Sequence, residues 1–243
     1  MHPHPRFAWT DQDEILGFIA ETAFCSVFMA GEAGPAVFHV PVIVYAPDRI
    51  HFHISRSNRG AAGLDGRRAL LSCLGPDAYV SPDWYGTPDQ VPTWNYVSAE
   101  AEGPLRRLSE EELAALLDAL SDEHEGRLDP KPRWTRGKMS PGRFDTMLRA
   151  IAGYELRIED LRGTRKLGQT KSSAETLGAI AGLEVAGHGA IADLMRASSS
   201  PGFPGEGDHP KGGGGALAQA STKPLPHASH GPPPHEIVGR NKQ

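Results

Sequence analysis

Two consecutive stretches decide the fold class: Ala36-Val37-Phe38-His39-Val40-Pro41-Val42-Ile43-Val44-Tyr45 and, after the turn Ala46-Pro47-Asp48-Arg49, Ile50-His51-Phe52-His53-Ile54-Ser55. In the first, Phe38, Val40, Val42 and Val44 fall on one face and Val37, His39, Pro41 and Ile43 on the other. This is the period of two of a strand with one buried side. The short connection makes the pair antiparallel. Upstream, Phe24-Cys25-Ser26-Val27-Phe28-Met29 runs into the turn Gly31-Glu32-Ala33-Gly34, so three strands form a meander. Pro41 has no N–H to give to a ladder, and an edge or a bulge is expected there.

Working outward, Thr10-Asp11-Gln12-Asp13 predicts a helix start, followed by an apolar face of Ile15, Leu16, Phe18 and Ile19. On the other side, Ser57-Asn58-Arg59-Gly60 is expected to cap a short helical piece through Leu64. Arg68 to Leu74 and Ala78 to Ser81 read as one bent strand or two short ones, and Pro82 to Pro92 as an irregular loop. Thr93 to Leu105 is another strand, with Gly103 and Pro104 weakening its end. Ser109-Glu110-Glu111-Glu112 is a capping box ahead of Leu113, Leu116, Leu117 and Leu120. Ser140-Pro141 opens a second helix bearing Phe144, Met147 and Leu148, and Tyr154, Leu156 and Ile158 alternate in a last strand. Six or seven strands joined mostly by hairpins, with helices beside them, imply an α+β fold, an antiparallel barrel with flanking helices.

Composition bounds the function. The chain has 243 residues, enough for one medium domain or two small ones, and a formal charge of −5, which gives no bulk attraction to nucleic acid or anionic lipid. No apolar run approaches the ~20 residues of a membrane span, and Met1 to Arg6 lacks the apolar core of a secretory signal. Cys25 and Cys73 sit in apolar strands and read as two buried reduced thiols, which suits a cytoplasmic protein. From Ser198 to Gln243 the chain holds 9 Gly and 8 Pro and too little apolar surface to offset ordering. The expected organisation is a folded domain over 1–197 and a disordered Gly/Pro-rich tail over 198–243.

No phosphate-binding glycine loop, nucleophile elbow or His-Glu-x-x-His helix is present. His51 and His53 share a strand face but lack a third ligand nearby, so no metal is assigned. Asp122-Glu123-His124-Glu125 reads as a solvated helix end. Two constellations remain. Tyr79, Trp84, Tyr85, Trp94 and Tyr96 crowd one Pro-stiffened segment, which must cover a core, a subunit interface or a planar ligand. Asn95, between Trp94 and Tyr96, adds an amide donor and acceptor. The second is basic: Ser55-Arg56-Ser57-Asn58-Arg59-Gly60 leaves a strand, and Arg165-Lys166-Leu167-Gly168-Gln169-Thr170-Lys171-Ser172 forms a compact loop. In an acidic protein these islands suit a small anion, and with the aromatics they suit flavin mononucleotide.

The segments Phe38-His39-Val40-Pro41, His53-Ile54-Ser55-Arg56-Ser57-Asn58, Tyr79 to Tyr85, Val91 to Tyr96 and Lys166 to Ser172 together resemble the PaiB-type FMN-binding proteins, a family of negative transcriptional regulators. The resemblance covers residues 5 to 190. It implies an FMN-binding split barrel, related to pyridoxine-phosphate oxidases, that forms a homodimer with flavin at the subunit interface. It further implies that Ser55, Arg56 and Asn58 hold the phosphate. Lys166 and Gln169 would approach the ribityl chain or phosphate from the partner subunit, and Asn95 would address the ring edge with Trp94 and Tyr96 beside it. Gly168 and Thr170 stand where Ser and Asn are expected.

The leading expectation is therefore a homodimeric FMN-binding regulator or flavin-dependent oxidoreductase, with no residue assigned as general acid or base. The alternatives are a direct DNA-binding repressor, which lacks a basic recognition helix here, and a haem-binding split barrel, which the 11 His residues allow.

Overall fold

The computed structural model describes residues 3–31 and 34–199. Eight strands run in the order β1(Ala8–Trp9), β2(Phe24–Gly31), β3(Gly34–Ala46), β4(Arg49–Ser55), β5(Arg68–Val80), β6(Thr93–Arg107), β7(Ile151–Arg157) and β8(Asp160–Lys166). Five helices join them: α1(Gln12–Thr22), α2(Glu110–Gly126), α3(Arg143–Leu148), α4(Ser173–Val185) and α5(Gly189–Ser198). All pairings are antiparallel, in the order β1-β8-β6-β5-β2-β3-β4-β7, and a further β6–β7 pairing closes β6, β5, β2, β3, β4 and β7 into a barrel. This is an α+β antiparallel split barrel. The Gly/Pro-rich stretch beyond residue 199 lies outside the described residues.

The alternation read from β3 and β4 is the barrel interior. Phe38, Val40, Val42, Ile50, Phe52 and Ile54 are buried beside Val27, Leu71, Val97, Tyr154 and Leu156. Pro41 sits where β3 changes partner: pairing with β2 ends at Phe24↔Pro41, and pairing with β4 starts at Val42↔Phe52. The missing N–H thus falls between two ladders. β6 changes partner in the same way. Its β8 register ends at Glu102↔Asp160 and its β7 register begins at Leu105↔Leu156. A Cβ on Gly103 would lie 1.8 Å from the Arg157 carbonyl oxygen, so a glycine is needed at this crossing. Rather than weakening the strand, Gly103-Pro104 lets it run on to Arg107.

Other expectations need correction. The cap of α1 is Asp11, whose carboxylate accepts from Glu14 N at 2.9 Å, rather than Thr10. Residues after Ser57 form turns, not a helix. α3 starts after Gly142, two residues beyond the expected Ser140-Pro141. Arg165 and Lys166 belong to β8, because the chain turns at Ile158 and re-pairs with β6. Cys25 and Cys73 are joined in a disulfide, not reduced. Ser26↔Ser72 is the neighbouring pair of the β2–β5 ladder, which sets the two cysteines directly opposite each other inside the barrel. That cross-strand pairing is not visible in a spacing of 48 residues.

Three helical layers dress the barrel. α1 seals one end with Ile15 and Ile19. α2, held by the complete Ser109–Glu112 capping box, lays Leu113, Leu116 and Leu120 on the outer face of β3, β4 and β7. α4 packs over the 3-10 turn Pro82–Tyr85, with Trp84 against Gly182, and α5 packs against α4 and β5. Among the described residues no helix is long and apolar enough to cross a membrane.

Candidate functional site

β4 ends in a tight polar turn. Ser55 Oγ lies 2.8 Å from Ser57 Oγ and accepts from Ser57 N, while Asn58 N donates to Ser55 O at 3.1 Å. Arg56 is pinned from two sides: its backbone N donates to Ala150 O at 2.9 Å and its Nε to Ile151 O at 2.8 Å. The guanidinium is exposed with its remaining N–H groups available, next to two hydroxyls and the Asn58 amide. Ser55, Arg56 and Asn58 are therefore brought together, in a place suited to a phosphate.

Beside this turn lies a cavity of about 520 Å³, within the range of small-molecule sites. Its floor is Pro41, His53 and Ile151 from the outer barrel face; one wall is Leu117, Leu120, Ser121, His124 and Glu125 of α2. The other wall is the strap between α2 and β7, which supplies Trp134, Met139, Phe144, Met147 and Leu148. Ile151 links the two features, since its carbonyl holds Arg56 and its residue lines the cavity. The strap is tied to the acidic edge of α2: Arg136 reaches Asp118 at 3.2 Å, Arg133 pairs with Asp122 and Lys131 with Glu125. Glu125 also accepts from Trp134 N at 2.8 Å. Lys131, and then this amide, hold its carboxyl below the ordinary range. The Asp122–Glu125 cluster is thus an anchoring edge as well as a helix end.

His53 is unusual within this lining. Its Nδ1 is buried without a hydrogen-bond partner, and desolvation pushes its pKa down, which favours the neutral ring.

The second group lies elsewhere. Tyr96 pairs with Lys166 across β6 and β8, and Lys166 Nζ donates to Trp94 O at 2.6 Å and to Thr93 Oγ1. Burial lowers the pKa of this lysine. Trp94 is half exposed, with Nε1 donating to Asp77 Oδ1 at 2.7 Å. Burial, then Glu100, raises the Tyr96 phenol. Asn95 is 1% exposed beneath α5, its amide donating to Met195 Sδ at 3.3 Å. Gln169 folds back on its own loop, accepting from Leu167 N and donating to Arg165 O. Gly168 has φ +84°, which explains why a glycine occupies that position.

The eight expected residues therefore form two groups: Ser55, Arg56 and Asn58 at the β4 exit, and Trp94, Asn95, Tyr96, Lys166 and Gln169 at the β6–β8 end. Arg107, where β6 ends against β7, is eleven residues beyond Tyr96, roughly 35 Å along the strand. Among the described residues no hydrogen bond, ion pair or cavity joins the two groups within one protomer. Sequence reasoning missed the cavity beside the first group. Its only signal was the presence of Trp134, Met139, Phe144 and Met147 in a polar, Pro-broken segment.

The sequence over residues 1–160 matches the family described as "Putative FMN-binding domain". The chain belongs to this FMN-binding domain family. It is 29% identical over 185 residues to "Protease synthase and sporulation protein PAI 2" of Bacillus subtilis, covering 73% of this chain and 86% of that one. Among solved structures, it is similar to the FAD and heme binding protein from Mycobacterium smegmatis, with TM-score 0.50 and 19% identity over 71% of this chain and 79% of that one. It is also similar to the flavocytochrome Anf3 from Azotobacter vinelandii, with TM-score 0.49 and 19% identity over 68% and 72%. At 19% identity the likeness to the Mycobacterium smegmatis protein establishes the fold alone. The FMN-binding family assignment rests on the sequence match.

Proposed function

We propose that this protein binds flavin mononucleotide with its phosphate at the Ser55–Asn58 turn and its ring in the cavity beside it. The observation that carries the reading is the Ile151 junction. A pinned, exposed guanidinium with two hydroxyls directly adjoins an apolar cavity that has aromatic and methionine walls. A phosphorylated planar ligand needs both, side by side. When bound, flavin supplies hydride and electron chemistry; the chain supplies binding and orientation.

We read the functional unit as a homodimer. Phe24, Phe28, Val37 and Leu74 are exposed on the outer face of β2, β3 and β5, and the register sets Phe28 opposite Val37. Exposed apolar side chains on one sheet face, in two rows separated by Ser26, His39 and Ser72, favour a partner surface. A second subunit is also the means by which Trp94, Tyr96 and Lys166 could reach a flavin held at the β4 exit. The relative's name, a protease synthase and sporulation protein, suits a regulatory role. With a charge of −5, regulation through the flavin-bound state fits better than direct DNA contact. The reading keeps a cytoplasmic location, the Cys25–Cys73 bond being buried and screened from bulk thiols.

The test is the absorbance spectrum and solution mass of the purified protein, with and without added FMN. Yellow protein, or stoichiometric uptake by a dimer, is the expected result. Absence of uptake overturns the reading. Haem is the competing occupant because His53 has no partner, and a Soret band after haem addition without flavin uptake would select it.

A further inference from the structure

Two of the polar side chains around the cavity are already committed. Ser121 Oγ donates to Leu117 O at 2.8 Å, and the Glu125 carboxylate is taken by Lys131 and by Trp134 N. His124 of the α2 wall makes no side-chain hydrogen bond among the described residues either, but among the lining residues only His53 has a ring nitrogen shut off from solvent without a partner. It stands on the outer face of β4, two residues before Ser55, and Nδ1 is shut off from solvent without a partner. No hydrogen bond reaches its other nitrogen either, and the ring forms part of the cavity floor. Its strand neighbour β7 contributes Gly153, whose missing side chain is replaced by Leu108 and Leu113, so nothing polar comes from that side. On the β3 side stands Pro41, which offers no N–H. An imidazole kept in such surroundings is a cost to the empty fold, because a buried polar group needs a partner.

We infer that His53 is the hydrogen-bonding anchor for the polar edge of the ring held in this cavity, an inference that rests on the flavin reading. A neutral imidazole has one donor and one acceptor. The edge of a flavin ring presents carbonyl oxygens and N–H groups together, and so satisfies either tautomer. Leu117, Leu120, Phe144, Met147 and Ile151 supply only apolar contact, which grips the ring without fixing its orientation. With His124 at the α2 wall, His53 on the floor is then the buried polar group that sets the orientation and distinguishes a flavin from an equally flat hydrocarbon ring. The role is positioning, with no covalent or redox step assigned to the residue.

The experiment compares the full-length protein with His53→Phe and His53→Gln, using FMN as the probe. Three quantities are read: FMN affinity by fluorescence titration, the absorption band of the bound flavin, and the melting temperature of the flavin-free protein. His53→Phe is expected to weaken FMN by about tenfold or more and to move the band. Its flavin-free melting temperature is expected to equal or exceed that of the unsubstituted protein. His53→Gln, which keeps a donor and an acceptor, recovers most of the affinity. If the unsubstituted protein takes up FMN and His53→Phe matches it in affinity and band position, the inference fails and the flavin reading stands. Loss of affinity accompanied by a lower flavin-free melting temperature makes His53 a structural residue and likewise overturns it. If the unsubstituted protein takes up no FMN, the reading and the inference fall together.

Discussion

His51 and Glu155 meet across the β4–β7 ladder, Nε2 to Oε2 at 3.0 Å, with both side chains shut away from solvent. Arg106 of β6 donates to the same carboxylate through Nε at 3.0 Å and through its terminal nitrogens to Glu112, which closes the α2 capping box. One carboxylate therefore ties three features at the barrel seam: β4, β6 and the start of α2. Tyr45 stacks flat on His51 at 4.2 Å and lids the network.

This network predicts an acid limb of stability. The Arg106 guanidinium, with His51 adding and burial opposing, lowers the Glu155 pKa from 4.5 to about 2. Its stabilisation is fully present above the unfolded value and is lost as pH falls from about 4.5 toward 2. Glu155→Gln should cost about 3 kcal/mol near neutral pH, with the gap to the unsubstituted protein closing through that window. Urea titrations at a series of pH values check this; a gap constant with pH contradicts it.

The β4 exit predicts a residue-specific loss. Arg56→Lys cannot reproduce the bond from Nε to Ile151 O while leaving a planar fork for phosphate. FMN affinity should fall by about tenfold in both Arg56→Lys and Arg56→Ala, with little change in melting temperature. Equal affinity for Arg56→Lys and the unsubstituted protein would mean that the phosphate sits elsewhere.

The apolar face of β2, β3 and β5 predicts a mass change. Phe28 is 46% exposed between Val37 and Leu70 in the register. Placing a charge there should dissociate a dimer without unfolding the barrel. Light scattering of Phe28→Glu is expected to give the monomer mass, against twice that mass for the unsubstituted protein.

At the helical cap, a Cβ on Gly178 would lie 2.1 Å from the Trp84 carbonyl oxygen, and one on Gly182 2.3 Å from its ring. Alanine normally favours a helix over glycine by about 1 kcal/mol. Here Gly178→Ala should instead destabilise by about 1–3 kcal/mol, because backbone must shift to admit the methyl. Thermal melts followed by circular dichroism decide the sign.

The Cys25–Cys73 bond closes a loop of sequence separation 48. Chain entropy puts its worth at about 4 kcal/mol. Cys25→Ala/Cys73→Ala should unfold at correspondingly lower urea, and thiol titration of the denatured unsubstituted protein should find no free thiol before reduction. Two titratable thiols would contradict the bond.

The barrel was legible where one face alone is buried. The alternation in β3 and β4 fixed both elements and their inward side chains, and Ser109 with Glu112 fixed the start of α2. β8 was not legible because Asp160 to Lys166 is mostly charged: its arginines answer Glu100, Glu102 and Glu14 on the surface instead of filling a core. The disulfide was hidden because register, not spacing, brings the cysteines together. For the site, the sequence located the Ser55–Asn58 turn by its residue types. It could not show that Asn95 lies beneath α5, since an amide between two aromatics reads the same whether it faces a ligand or Met195. The cavity escaped notice because its walls come from four separate parts of the chain.

β6 is stitched into both halves of the barrel, changing neighbours at Gly103. Neither half has an independent seam along which to open, so heat or denaturant meets them as one cooperative block. A side chain forced in at that crossing would fray both halves in a single event, rather than loosening one and sparing the other.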